Sequence, residues 1–146
     1  MRFIKLTILA AACAACALSQ GYLSAKEANK KVVFDFYRMC FEPRNADLLP
    51  QFIADDFIEH NPRYQSGRDN LAKLIASMPK PADDDIGTEL KSPPAVIMAE
   101  GDLVTYIFKR TAPDPKDSSK TYEQYSFDMF RVRNGKIVEH WDTATR

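Results

Sequence analysis

Helical periodicity is confined to the first half of this chain, and everything from residue 87 on reads as strand and turn. That segregation predicts an α+β fold rather than alternating βαβ units. Residues 25–41 put Val33, Phe34, Tyr37 and Phe41 at helical spacing, and Glu42-Pro43 ends the run. "NADLLPQFIADD" predicts a second, short helix with Asn45 as N-cap and Pro50 splitting or tightening it. "FIEHNP" predicts a strand stopped by Pro62. "YQSGRDNLAKLIASMP" predicts a third helix with Leu71, Leu74 and Ile75 on one face. A modest strand, "GTELKS", precedes a hairpin in "PAVIMAEGDLVTYIFKRT" that turns at Glu100-Gly101-Asp102. "APDPKDSSK" reads as a polar loop, and "TYEQYSFDMFRV" with "KIVEHWDTA" as the last strand pair.

The start of the chain does not fit this plan. "MRFIK" is basic, and "LTILAAACAACAL" is an apolar run too short to span a bilayer comfortably. This is the pattern of a secretory signal peptide over residues 1–19, with cleavage as late as residue 25. The residue three before Cys13 or Cys16 is Ala10 or Cys13, not leucine, which argues against a lipid anchor. The expectation is an exported domain, periplasmic or secreted, with no membrane attachment after cleavage. It would retain only Cys40, so no intrachain disulfide is available, and packing must hold residues 26–146 together. With 45% hydrophobic residues in a 146-residue chain, one core of ordinary size is feasible. Twenty basic and 20 acidic residues balance, and no basic run stands out, which argues against nucleic acid as a partner.

The closing hairpin decides the candidate site. A two-residue Asn134-Gly135 turn pairs Arg133 with Lys136 and sets Asp128 opposite Trp141. A three-residue turn with a bulge pairs Val132 with Lys136 and sets Asp128 opposite His140. Turn preference favours the first. Side-chain sorting favours the second, which we adopt. It puts Tyr125, Phe127, Met129, Ile137 and Trp141 on one face, and Gln124, Ser126, Asp128, Phe130, Val138, His140 and Asp142 on the other. Buried polar groups without partners are costly, so segregation lets these satisfy one another around a cavity. Two carboxylates beside an imidazole in a partly apolar pocket make an acid/base site. The aromatic face would be covered by a second subunit through Tyr125, Phe127, Met129 and Trp141.

"ADDFIEHNP" after a helix and "DMFRVRNGKIVEHWD" near the end resemble the nuclear transport factor 2-like superfamily, and within it the SnoaL-like polyketide cyclases. Ketosteroid isomerase is a more distant relative. The resemblance implies a curved antiparallel sheet wrapped around N-terminal helices into a cone, with one deep pocket and frequent dimers. It also implies aldol or enol chemistry without a cofactor. The aspartate that acts as acid/base on the last cyclase strand matches Asp142. The isomerase's oxyanion-donating aspartate, in a D-x-x-R context, matches Asp128. Its general base matches Asn61, which cannot play that part, and its pocket tyrosine resembles Tyr37.

Asp142 is therefore the expected proton carrier, with Asp128 and His140 in support. His60, Asn61, Tyr37, Ser126 and Phe130 are expected to line the binding pocket. Neighbours in a strand point to opposite faces, so His60 and Asn61 remain alternatives for the pocket wall. No metal is expected, because the histidines match no compact zinc spacing. The expected ligand is a small apolar or carbonyl-bearing molecule. The alternative to catalysis is a binding or interaction domain in which the polar cluster only orients a ligand.

Overall fold

The computed structural model describes residues 25–143; the basic-then-apolar leader and its two cysteines lie outside them. A first helix, α1 (25–36), runs into a π-helical turn at Tyr37–Phe41. It buries Val33, Phe36, Tyr37 and Cys40. Phe36 thus takes a core place that the helical spacing assigned to Phe34. The wide turn closes through a hydrogen bond from Glu42 N to Tyr37 O (2.8 Å). Turns of this kind re-aim a helix and often mark functional positions; here it presents Tyr37 to the sheet.

The chain then passes through a 3₁₀ turn (Ala46–Leu48) and a single helical turn, α2 (Leu49–Phe52). Asn45 caps the first as expected, accepting from Asp47 N at 3.2 Å. Pro50 sits in the first turn of α2, where its missing N–H costs nothing. The strand begins earlier than the sequence suggests, at Ile53, giving β1 (Ile53–Glu59). Helix α3 (Arg68–Ser77) follows and buries Ile75. It starts at Gly67, whose φ of 100° is open to glycine, and Gly67 N donates to Phe57 O (2.7 Å).

Four strands complete the sheet: β2 (Val96–Glu100), β3 (Leu103–Asp114), β4 (Asp117–Arg133) and β5 (Lys136–Asp142). Their order is β1-β5-β4-β3-β2. The sheet is mixed rather than wholly antiparallel, because β1 runs parallel to β5. That pairing is irregular: β1 takes five steps from Ile53 to Ile58 while β5 takes two from Ile137 to Glu139.

Two expected segments differ. Residues 87–92 form no strand; they are held by Glu42, which accepts from Lys91 N (2.9 Å) and Ser92 N (2.8 Å). Conversely, most of the expected loop at 112–120 is strand, with β3 and β4 joined only by Pro115 and Lys116. This outer ribbon buries no residue fully, so it carries none of the apolar alternation that announces a strand.

The closing hairpin combines the two alternatives. Asn134 and Gly135 have φ of 52° and 72°, and Arg133 pairs with Lys136, so the turn is the two-residue type. The extra residue lies further along. Val132 pairs with Ile137 and Arg131 with Glu139, leaving Val138 as a bulge in β5. Asp128 consequently faces Asp142, not His140, and His140 faces Phe130. Ile137 also moves from the expected outer face into the core, fully buried.

The helices pack on one face of the sheet. Tyr37 stacks on Tyr106 with ring centres 5.4 Å apart, and Phe36 meets Phe130 edge-on at 6.0 Å. Val104, Val132, Ile137 and Phe108 complete this interior. The other face carries Val96, Met98, Tyr125 and Phe127, all exposed. Among the described residues, no helix is long and apolar enough to cross a membrane.

Candidate active site

The Val138 bulge sets the site. Without it, β5 would keep the phase of the turn, and Glu139 and Trp141 would point inward. With it, His140 and Asp142 join Asp128 and Phe130 on the helix-covered face. Together they close one end of a cavity of about 140 Å³. Phe36, Phe41, Phe57, Leu71, Leu74 and Met78 form its apolar walls, and Tyr37, Glu59, Asp128, His140 and Asp142 its polar end.

Each polar group has a defined partner. The Tyr37 hydroxyl donates to Asp128 Oδ2. Burial first, and then the Asp128 charge, push that hydroxyl well above its ordinary pKa, so it remains a donor. Asn61 Nδ2 donates to both oxygens of Asp142, at 2.8 and 2.9 Å. Its Oδ1 accepts from Arg63 N at 3.0 Å, which fixes the amide orientation. Its backbone N–H donates to Glu59 Oε1 at 2.9 Å.

His140 is held between acids. Nδ1 contacts Glu59 Oε2 at 2.8 Å, and Nε2 lies 3.8 Å from Asp128 Oδ1, an ion-pair distance too long for a direct hydrogen bond. Burial opposes charge on the ring, but the Asp128 and Glu59 carboxylates outweigh it and lift its pKa to about 9. At neutral pH the ring is an imidazolium, stacked on Phe130 at 4.7 Å.

Of the residues singled out from sequence, Asp128, His140, Asp142, Tyr37 and Phe130 line the cavity. Asn61 braces Asp142 from behind. His60 points the other way: it stacks on Trp141 (4.4 Å) and contacts Glu139 Oε2 at 3.1 Å. Ser126 lies one inward position beyond Asp128, in an adjoining open vestibule. Glu59 is the residue sequence reasoning missed. Its side chain is 5% exposed, and a signal existed, because choosing Asn61 over His60 also turns Glu59 inward at strand spacing.

Asp128, His140 and Asp142 each offer a ligand atom within 4.8 Å of the others, close enough to share a cation. The proton on His140 competes with that use at neutral pH, because an imidazole must be neutral to ligate. The arrangement is better suited to moving protons. It has a carboxylate with free lone pairs, a charged donor and an apolar chamber that strengthens both.

The profile of the SnoaL-like domain matches residues 33–140. No curated protein matches the chain significantly. Among solved structures, it resembles an NTF2-like protein of unknown function from Mesorhizobium loti, with 20% identity and TM-score 0.54, over 83% of this chain and 93% of that one. It is similar to a protein of unknown function with a cystatin-like fold from Xanthomonas campestris (21%, TM-score 0.54, 81% and 91%). It is also similar to an LEH-like epoxide hydrolase from M. tuberculosis (16%, TM-score 0.54, 81% and 83%). These likenesses establish the expected fold, an α+β cone of the nuclear transport factor 2-like type, and nothing about substrate.

Proposed function

Because the chain belongs to the SnoaL-like domain family, we propose that it is a cofactor-independent acid/base enzyme of aldol or enol type acting on a small carbonyl compound. The observation that carries this reading is the placement of Asp142 and His140, with polar atoms within 4.8 Å of one another, at the end of an apolar cavity. The apolar part of the substrate fills the chamber, and its carbonyl lies at the polar end. Asp142 takes the proton from the carbon next to the carbonyl. As the C–H bond breaks, its electron pair forms the enolate, and His140 Nε2–H donates to the oxygen that gains the charge. Where a double bond is conjugated with it, the enolate takes the proton back from Asp142 at the γ-carbon, an isomerisation; otherwise it attacks a second carbonyl of the same molecule, and the alkoxide so formed takes the proton from Asp142, an aldol closure.

The remaining groups hold this pair in place. Asn61 fixes the Asp142 carboxylate and Glu59 holds the Nδ1 side of His140. Asp128, hydrogen-bonded by Tyr37, stabilises the imidazolium from the other side. The leader sequence supports action outside the cytoplasm, and the exposed aromatic face of the sheet supports a homodimer.

The test needs no prior substrate. Small aryl and alicyclic ketones are incubated with the protein in D₂O, and loss of the α-proton signal is followed by NMR. Acceleration by the wild type, reduced about 10²–10⁴-fold in Asp142→Asn, is the expected result. Equal exchange rates in the two proteins would refute the reading.

A further inference from the structure

The polar end of the cavity borders a wider space. Tyr37, Phe41, Tyr64, Asp128 and Asp142 also line a wider, open vestibule of about 890 Å³. Its rim is basic, with Arg44, Lys91, Lys109 and Arg110. Two of these charges are answered locally: Lys91 pairs with Asp83 at 3.1 Å, and Lys109 pairs with Glu123. The arginines are not. Among the described residues, neither Arg44 nor Arg110 has an ion-pair partner within 4 Å.

The acids lining the vestibule accept hydrogen bonds from groups other than these arginines. Glu42 accepts from Lys91 N and Ser92 N, Asp128 from Tyr37, and Asp142 from Asn61. Arg110 sits on the inward face of β3, two positions beyond Phe108 and opposite Gln124. Its charge reaches the Tyr37 hydroxyl, where it opposes the upward shift. Arg44 lies over the Phe41 ring at 4.9 Å and donates to Phe41 O. Its φ of 61° is unusual for a residue other than glycine and sets it just past the π turn.

The molecule thus has three zones in sequence: an apolar chamber, a proton-transfer pair, and a rim with two uncompensated guanidinium groups. We infer that the substrate is a keto acid, its apolar end in the chamber, its ketone at Asp142 and His140, and its carboxylate on Arg110, with Arg44 adding positive charge to the same rim. A planar guanidinium matches a carboxylate in geometry as well as charge. This inference rests on the proton-transfer reading for its ketone, but not for its anion subsite.

The probe is 4-oxo-4-phenylbutanoate, which has a phenyl ring, an enolisable ketone and a carboxylate in that order, compared with its neutral methyl ester. The acid is expected to show at least a tenfold lower KM for α-proton exchange in D₂O. Arg110→Ala should bring the acid-to-ester ratio towards one by raising the KM of the acid, and Arg110→Lys should restore part of it. The preference should also shrink with added salt. Arg110 is exposed, so its replacement does not threaten folding. Binding measured by NMR titration separates the two claims. If neither compound exchanges but the acid binds better through Arg110, the subsite stands and the proton-transfer reading falls. If both exchange equally, or Arg110→Ala leaves the ratio unchanged, the subsite is overturned and the acid/base reading survives. A matched phosphate monoester binding better than the acid would overturn the carboxylate assignment.

Discussion

Asp128 and Asp142 face each other directly across β4 and β5. Like charges in that position repel, and the rest of the site is arranged around the repulsion. Tyr37 donates to one carboxylate, Asn61 donates to the other, and a charged His140 stands beside Asp128.

Asn61→Asp tests this balance. It removes the donor from Asp142 and adds a fourth carboxylate, beside Glu59, Asp128 and Asp142, in a position that is 6% exposed. A loss of about 1–3 kcal/mol at pH 7 is expected, measured by denaturant unfolding.

Tyr37→Phe should cost about 1–3 kcal/mol, because it keeps the packed ring but leaves Asp128 without its hydroxyl donor. Urea unfolding compared with wild type reads the loss directly. A neutral result would mean that the hydroxyl contributes nothing to holding Asp128.

The pH dependence of stability has a definite sign. His140 is raised from 6.5 to about 9 on folding, so its contribution is fully present below pH 6.5 and is lost as pH rises through 9. The side chain is 16% exposed, and the shift corresponds to about 3 kcal/mol. Thermal unfolding should therefore show wild-type stability falling between pH 6.5 and 9, with that component missing in His140→Gln.

Phe127 is 46% exposed in the apolar outer face. If that face is the homodimer interface, Phe127→Lys should yield monomers by sedimentation while leaving the interior intact. A wild-type monomer at micromolar concentration would remove the dimer.

The sequence carried the site's composition better than its geometry. Sorting polar from apolar side chains correctly put Asp128, Phe130, His140 and Asp142 on one face, because an inward Glu139 and Trp141 would have mixed charge into the core. It could not locate the extra residue. A bulge in the turn and a bulge at Val138 differ only at residues 136–138: the first turns Lys136 and Val138 to the face of Val132, the second Ile137, and the residues of the site itself fall on the same face in both. Glu59 was hidden for another reason: its contact with His140 depends on β1 lying parallel to β5, a pairing between segments 81 positions apart. The outer ribbon at 112–120 reads as a loop in the sequence because a strand with no buried face carries no apolar alternation to mark it.

The proposed chemistry rests on a charged imidazole beside Asp128 in the Val138-bulged strand. Nitrogen NMR of the His140 ring across pH 5–10 tests it most directly. Both ring nitrogens are predicted to stay protonated at pH 7.5, with the transition near pH 9 and shifted downward in Glu59→Gln. A His140 transition at or below pH 6.5, indifferent to Glu59, would contradict it.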